Sequence, residues 1–163
     1  MTPPSATEIA RALDGAWRLA CRDARGIDNF AGTPESVWKS FFAAVIVAPF
    51  FVLLLALRDM PTEPRGGIGA MILIEAIAYA ANWAAFPLAM LYVSRLIGRE
   101  RRWLLFVEAF NWSAVIQVVL FVIATAITAA DLLPEALAQG VAFGVTLLVI
   151  VYEWFVARVA LQV

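Results

Sequence analysis

From Phe41 to Leu57 the chain carries no charged residue, and three more long apolar stretches follow it. Hydrocarbon offers no partner to a backbone N–H or C=O group, so a stretch that enters it must satisfy those groups within itself, as a helix does. About 20 such residues cross a core of roughly 30 Å. Spans are therefore expected at about 40–57, 68–93, 104–129 and 136–157. Composition agrees: 163 residues that are 63% hydrophobic and 15% charged exclude a soluble monomer. The expected fold is an all-α membrane protein, with residues 1–32 as a cytoplasmic amphipathic segment and residues 33–163 as a four-helix transmembrane domain.

Ser5 and Glu8 have the spacing of a capping box, and Ile9, Leu13, Ala16, Trp17 and Ala20 then recur at helical spacing opposite Arg11, Asp14, Arg18 and Arg22. This pattern predicts an amphipathic helix. With Trp17 on its apolar face and Arg18 on the other, it suits the headgroup layer of a membrane; packing on its own bundle or on a partner is the alternative. Met1-Thr2-Pro3-Pro4 has neither the basic start nor the immediate apolar run of a cleavable leader, so none is expected. Gly26 and the stretch to Gly32 break the pattern, and Thr33-Pro34-Glu35 starts a second helix that leads into the first span.

The basic residues fall unequally on the two sides of these spans. Arg11, Arg18, Arg22, Arg25, Lys39, Arg95, Arg99, Arg101, Arg102 and Arg158 gather on one side, and only Arg58 and Arg65 on the other. The positive-inside rule then puts both termini and the middle loop in the cytoplasm. There Arg95, Arg99, Arg101, Arg102 and Arg158 meet anionic lipid, and the run at Arg99–Arg102 is too short to hold nucleic acid.

Six polar residues interrupt the apolar runs: Glu75, Asn82, Glu108, Asn111, Gln117 and Glu153. A carboxylate in hydrocarbon is costly unless it is paired, protonated or hydrated. Glu108 and Glu153 are expected at one depth, in reach of Arg95 or Arg158, with Glu75 nearer the opposite leaflet. The acids then either tie helices together or form a proton- or cation-linked site, and a lipid-headgroup site is the third reading. Asn82-Trp83 and Asn111-Trp112 repeat a dipeptide, and facing asparagines would lock a helix hairpin. Gly140 and Gly144 form a GxxxG element, used either inside the bundle or in a dimer. Ala76, Ala80 and Ala84 offer the same small-residue spacing in the second span.

Catalytic templates find little support. Histidine is absent, and the single Cys21 cannot close an internal disulfide or build a thiolate cluster, so no cofactor or metal is expected. Ser36 and Lys39 have a Ser-x-x-Lys spacing without its companion motifs. Asp14, Asp23 and Asp28 do not fit the spacing of CDP-alcohol phosphotransferases.

Asp23-Ala24-Arg25-Gly26, Trp38-Lys39-Ser40-Phe41, Phe86-Pro87, Gly98-Arg99-Glu100-Arg101-Arg102 and Asn111-Trp112-Ser113 span most of the chain. Together they resemble a family of small, uncharacterised bacterial inner-membrane proteins, more distantly similar to Yip1-type multispanning domains. The resemblance implies a multispanning fold, a bacterial inner-membrane location, and a role in membrane organisation or partner binding. It transfers no functional residue. The function expected is that of a non-enzymatic accessory, assembly or membrane-organising subunit, acting through lipids and through a membrane-protein partner or a second copy. The alternative is a small oligomeric transporter or channel that uses the intramembrane glutamates.

Overall fold

The computed structural model describes residues 2–57, 67–130 and 133–163, and all its regular structure is helical. Arg58 and Arg65, the two cations assigned to the far side, lie outside the described residues, as does Asp131. The α-helices are α1 (Ala6–Ala20), α2 (Pro34–Ser40), α3 (Phe42–Ala56), α4 (Gly67–Leu96), α5 (Trp103–Ala129) and α6 (Glu135–Leu161), with 3-10 turns at Ala24–Asn29 and Glu100–Arg102. Four segments are long and apolar enough to cross a membrane: Pro34–Ala56, Gly67–Leu96, Glu100–Ala129 and Glu135–Leu161. They outrun the expected spans because helices continue past the apolar boundary into charged ends such as that at Arg158.

Local chemistry explains where the first helices begin. Ser5 and Glu8 close a reciprocal capping box on α1, and Thr33 and Ser36 do the same for α2, with Pro34 in its first turn. The chain breaks at Phe41, whose N–H bonds back to Trp38 O, and resumes as α3.

Helix α5 is the axis of the fold. Its first half buries Phe106, Val107, Ala109, Trp112, Val115 and Val118, whereas beyond Val118 only Ala124 is buried. On α6 the gradient is reversed, since its buried residues run from Val149 to Leu161 and its first half is largely exposed. The antiparallel pair is thus closed at one end and open at the other. At the closed end α1 lies across α5 and α6 through Ala12, Ala16 and Leu19, while Gly15 meets the turn at Ala24–Asn29.

Of the expected apolar face of α1, Ile9, Leu13, Ala16 and Ala20 pack against the core, and Trp17 alone departs from it. Trp17 is 58% exposed and points away from the bundle, while the small residues face it. The reason is close approach. A Cβ on Gly15 would stand 2.9 Å from Gly26 O, and one on Gly26 would stand 2.6 Å from Gly15 O, so backbone meets backbone where no larger residue fits.

Helix α4 stands apart, with only Pro87 and Ser94 buried. It reaches its neighbours through aromatic side chains. Tyr79 packs on Phe51 with ring centroids 4.7 Å apart and donates its hydroxyl hydrogen to Ala44 O at 2.6 Å. Phe86 stacks on Phe110 at 4.5 Å, and Trp103 Nε1 donates to Pro87 O at 2.8 Å. Rings used as spacers hold the helix off and leave a cleft beneath it.

Candidate functional site

The six intramembrane polar residues separate into two groups, and helical geometry on α5 shows why. Glu108 and Gln117 are nine residues apart, which at about 100° per residue places them on opposite faces. Asn111 shares the face of Glu108. Phe110, Ala114 and Phe121 share that of Gln117.

The first group belongs to the closed end. Glu108 is 5% exposed, and its Oε2 accepts from Gly32 N–H at 2.8 Å and from Ser36 Oγ–H at 2.6 Å. Gly32 sits at φ +64, and a Cβ there would come within 3.0 Å of Leu105, so only glycine presents this amide to the carboxylate without strain. The acid therefore holds the start of α2, where amide donors and the helix dipole favour a negative charge. Asn111 Nδ2 donates to Ser40 Oγ at 2.8 Å, and Tyr152 Oη donates to Ala16 O at 2.7 Å while lying 2.9 Å from Ser113 Oγ. Tyr152 was not singled out in the sequence, and Ser40 and Ser113 entered only as members of the segments that carry the resemblance, because hydroxyls in apolar runs give no periodic signal.

Two expectations are corrected here. Glu108 and Glu153 do not form a cluster with arginines, since Arg95 pairs loosely with Glu100 at 3.8 Å and Arg158 lies over the Trp154 ring at 5.4 Å. Nor do the asparagines face each other: Asn111 is bonded to Ser40, and Asn82 is exposed on α4.

The second group lines the cleft under α4. Glu75, Asn82, Gln117 and Glu153 border one opening of about 560 Å³ between α4 and a wall built from α3, α5 and α6. Phe51, Tyr79, Trp83, Phe86, Phe110 and Phe121 supply much of the rest of its lining. Glu75, Tyr79, Asn82 and Phe86 follow helical spacing along one face of α4. Gln117 is 9% exposed and lies beside Glu153, and its Nε2 has no hydrogen-bond partner of good geometry among the described residues. The buried Asn111 Oδ1 is likewise unpartnered.

Outside the spans, the cationic end has its own structure. Arg95, Arg99, Glu100, Arg101 and Arg102 surround a shallow surface depression, and Arg102 Nε donates to Ala160 O at 2.6 Å, joining the loop to the end of α6. Arg18 lies 3.4 Å from Asp14, one turn away on α1. Lys39 bonds Glu8 at 2.9 Å and Glu35 at 3.0 Å, so it and Ser36 serve separate partners. The Lys39 ammonium, with help from Ser5, holds the Glu8 carboxyl at a pKa of about 2. Arg25 lowers Asp23 in the same way.

Gly140 and Gly144 have no neighbour within 4 Å of a built Cβ, so they make no close helix contact among the described residues of this chain. Among the described residues there is also no group of three or more carboxylate or thiol side chains placed to hold a metal ion. Comparison with protein-family models, curated proteins and solved structures finds no match to the chain.

Proposed function

We propose that this multi-pass protein is a non-enzymatic accessory or assembly subunit of a bacterial inner membrane, working through helix and lipid contacts. The observation that carries the reading is the isolation of α4, a helix of membrane-crossing length with only Pro87 and Ser94 buried and a polar cleft along one face. A helix held off its own bundle by aromatic spacers leaves surface for a companion membrane protein, and apolar surface of that extent marks an interaction site or a lipid face.

The orientation proposed is that of the basic residues. Both termini and the Arg95–Arg102 loop lie on the cytoplasmic side, where these arginines contact anionic headgroups. Outward-facing Trp17, with Arg18 beside it, suits α1 to anchoring in the interface, as amphipathic tryptophans do. The Yip1-type resemblance supports a role in membrane organisation.

Native mass spectrometry of the protein extracted with its own lipids tests the proposal. Co-extraction of a different membrane protein at fixed stoichiometry is the expected result. A reproducible lone monomer overturns it.

A transport role is favoured by one observation, the grouping of Glu75 and Glu153 in a single cleft. That cleft opens sideways, so one protomer encloses no pathway and transport requires a closed homo-oligomer. Glu153→Gln would then abolish proton-linked flux in liposomes.

A further inference from the structure

We infer that the cleft under α4 binds an organic ammonium ion with apolar arms. This goes beyond the accessory role and holds whether the protein acts with a companion or alone.

The argument begins with volume and lining. An opening of about 560 Å³ is of the size that small-molecule sites occupy. Its walls join two kinds of group that are attractive to one class of ligand. Glu75 and Glu153 are carboxyls on α4 and α6, and Tyr79, Trp83, Phe86 and Phe110 are aromatic rings lining the same opening, with Phe86 stacked on Phe110. Ring faces attract cations, most strongly where water is excluded, so a lining that joins rings to carboxyls favours ammonium groups over neutral ones. Apolar arms on the cation would rest against Phe51 and Phe121, which line the same opening.

A buried and unused donor points the same way. Gln117 lines the cleft, is nine-tenths buried, and has an Nε2 without a hydrogen-bond partner, although Glu153 is beside it. Buried amide donors are nearly always satisfied. A cation seated between Glu153 and the rings would hold the Glu153 carboxylate in the cleft beside Gln117 and so give the amide its acceptor. Carboxylate, amide and cation then satisfy one another. A neutral apolar molecule would leave the amide unpaired.

Position narrows the source of the ligand. Gln117 is near the middle of α5 (Trp103–Ala129), well away from its ends. A lipid headgroup amine at the interface would have to be drawn inward to reach it, whereas a free amphiphilic amine partitions into the bilayer unaided.

The test uses the full-length protein in nanodiscs of phosphatidylglycerol, whose headgroup carries no amine, with benzyltributylammonium as probe and a neutral hydrocarbon of similar shape as control, followed by equilibrium dialysis. Saturable uptake of about one probe per chain is expected, with no saturable uptake of the control. Glu153→Gln should weaken binding by about tenfold or more and Trp83→Leu by several-fold, while Glu153→Asp retains most of it. Thermal unfolding of each variant separates loss of the site from loss of the fold. Repeating the titration with phosphatidylethanolamine added distinguishes the sources: competition assigns the site to a headgroup amine, and unchanged affinity to a free amine. Absence of saturable uptake, equal uptake of the neutral control, or wild-type affinity in folded Glu153→Gln overturns the inference.

Discussion

The two ends of the α5–α6 pair use polar residues in opposite ways. At the closed end most buried polar groups are tied to another segment, as Glu108 is to Gly32 and Ser36, Tyr152 to Ala16, and Asn111 through its Nδ2 to Ser40, although Asn111 Oδ1 is unpartnered. In the cleft, Gln117 has an unpaired amide and Glu153 faces open space. A buried polar group that is bonded on both sides specifies packing, whereas one left unpaired is a standing cost that folding alone does not explain. The contrast teaches that an acid in an apolar run is not one kind of signal: Glu108 belongs to the fold and Glu153 to whatever enters the cleft.

That contrast can be broken by substitution. Glu108→Leu should be the most damaging change, because it leaves the Gly32 N–H without an acceptor and the Ser36 hydroxyl with only Thr33 O, for a loss of roughly 2–3 kcal/mol. Fluorescence-detected thermal unfolding in mild detergent would show it as a large fall in midpoint, and Glu108→Gln, which keeps an acceptor, should recover most of the loss. An equally severe Glu108→Gln would mean that charge, not the acceptor, matters there. Gly15→Leu comes next. It forces α1 off the Ala24–Asn29 turn and should lose about 1–3 kcal/mol by overpacking, with α1 becoming sensitive to protease. Gly140→Ala should be neutral or slightly stabilising in the same assay, since nothing lies beside it.

Smaller effects sharpen the comparison. Tyr152→Phe removes one interhelical hydrogen bond and should cost about 1 kcal/mol, read as faster hydrogen exchange in α1. Gln117→Leu should leave stability unchanged or raise it by up to about 1 kcal/mol, because an unpaired amide gives way to an apolar group of similar size. A destabilised Gln117→Leu would show that the cleft is packed like the closed end.

The smallest effect is pH-dependent. Glu8 has a lowered pKa in the folded protein, so its link to Lys39 is fully present above about pH 4.5 and is lost as pH falls toward about 2. Proteolysis of α1 should rise over that window, and Lys39→Met should weaken the dependence, leaving the part that Ser5 supplies.

Much of the scaffold was legible from the chain alone. The capping box at Ser5, the helix start at Thr33-Pro34-Glu35, the uncharged run at Phe41–Leu57 and the three later spans are local signals, each written within a few turns of helix, and each appears about where it was expected. The candidate site was legible only as a set of names. Glu75, Asn82, Gln117 and Glu153 were recognisable as costly residues, but their meeting in one cleft requires the lateral order of helices, which no hydropathy pattern contains. Glycine shows the limit well. Gly140 and Gly144 have the recognised spacing and meet no close neighbour among the described residues, whereas Gly15 and Gly26, with no motif between them, make a close backbone contact beside α1.

What the sequence by itself determined is the helical, membrane-crossing character of the chain, because hydrocarbon leaves an apolar stretch few other ways to satisfy its backbone. Tertiary structure alone decided which face of each helix is used. It turned Trp17 outward, set Glu108 against the start of α2 and Gln117 toward the cleft, and held α4 at a distance on aromatic rings. In a bilayer the lipid is as apolar as the helix surface, so burial does not choose among faces. Close fit and specific hydrogen bonds do.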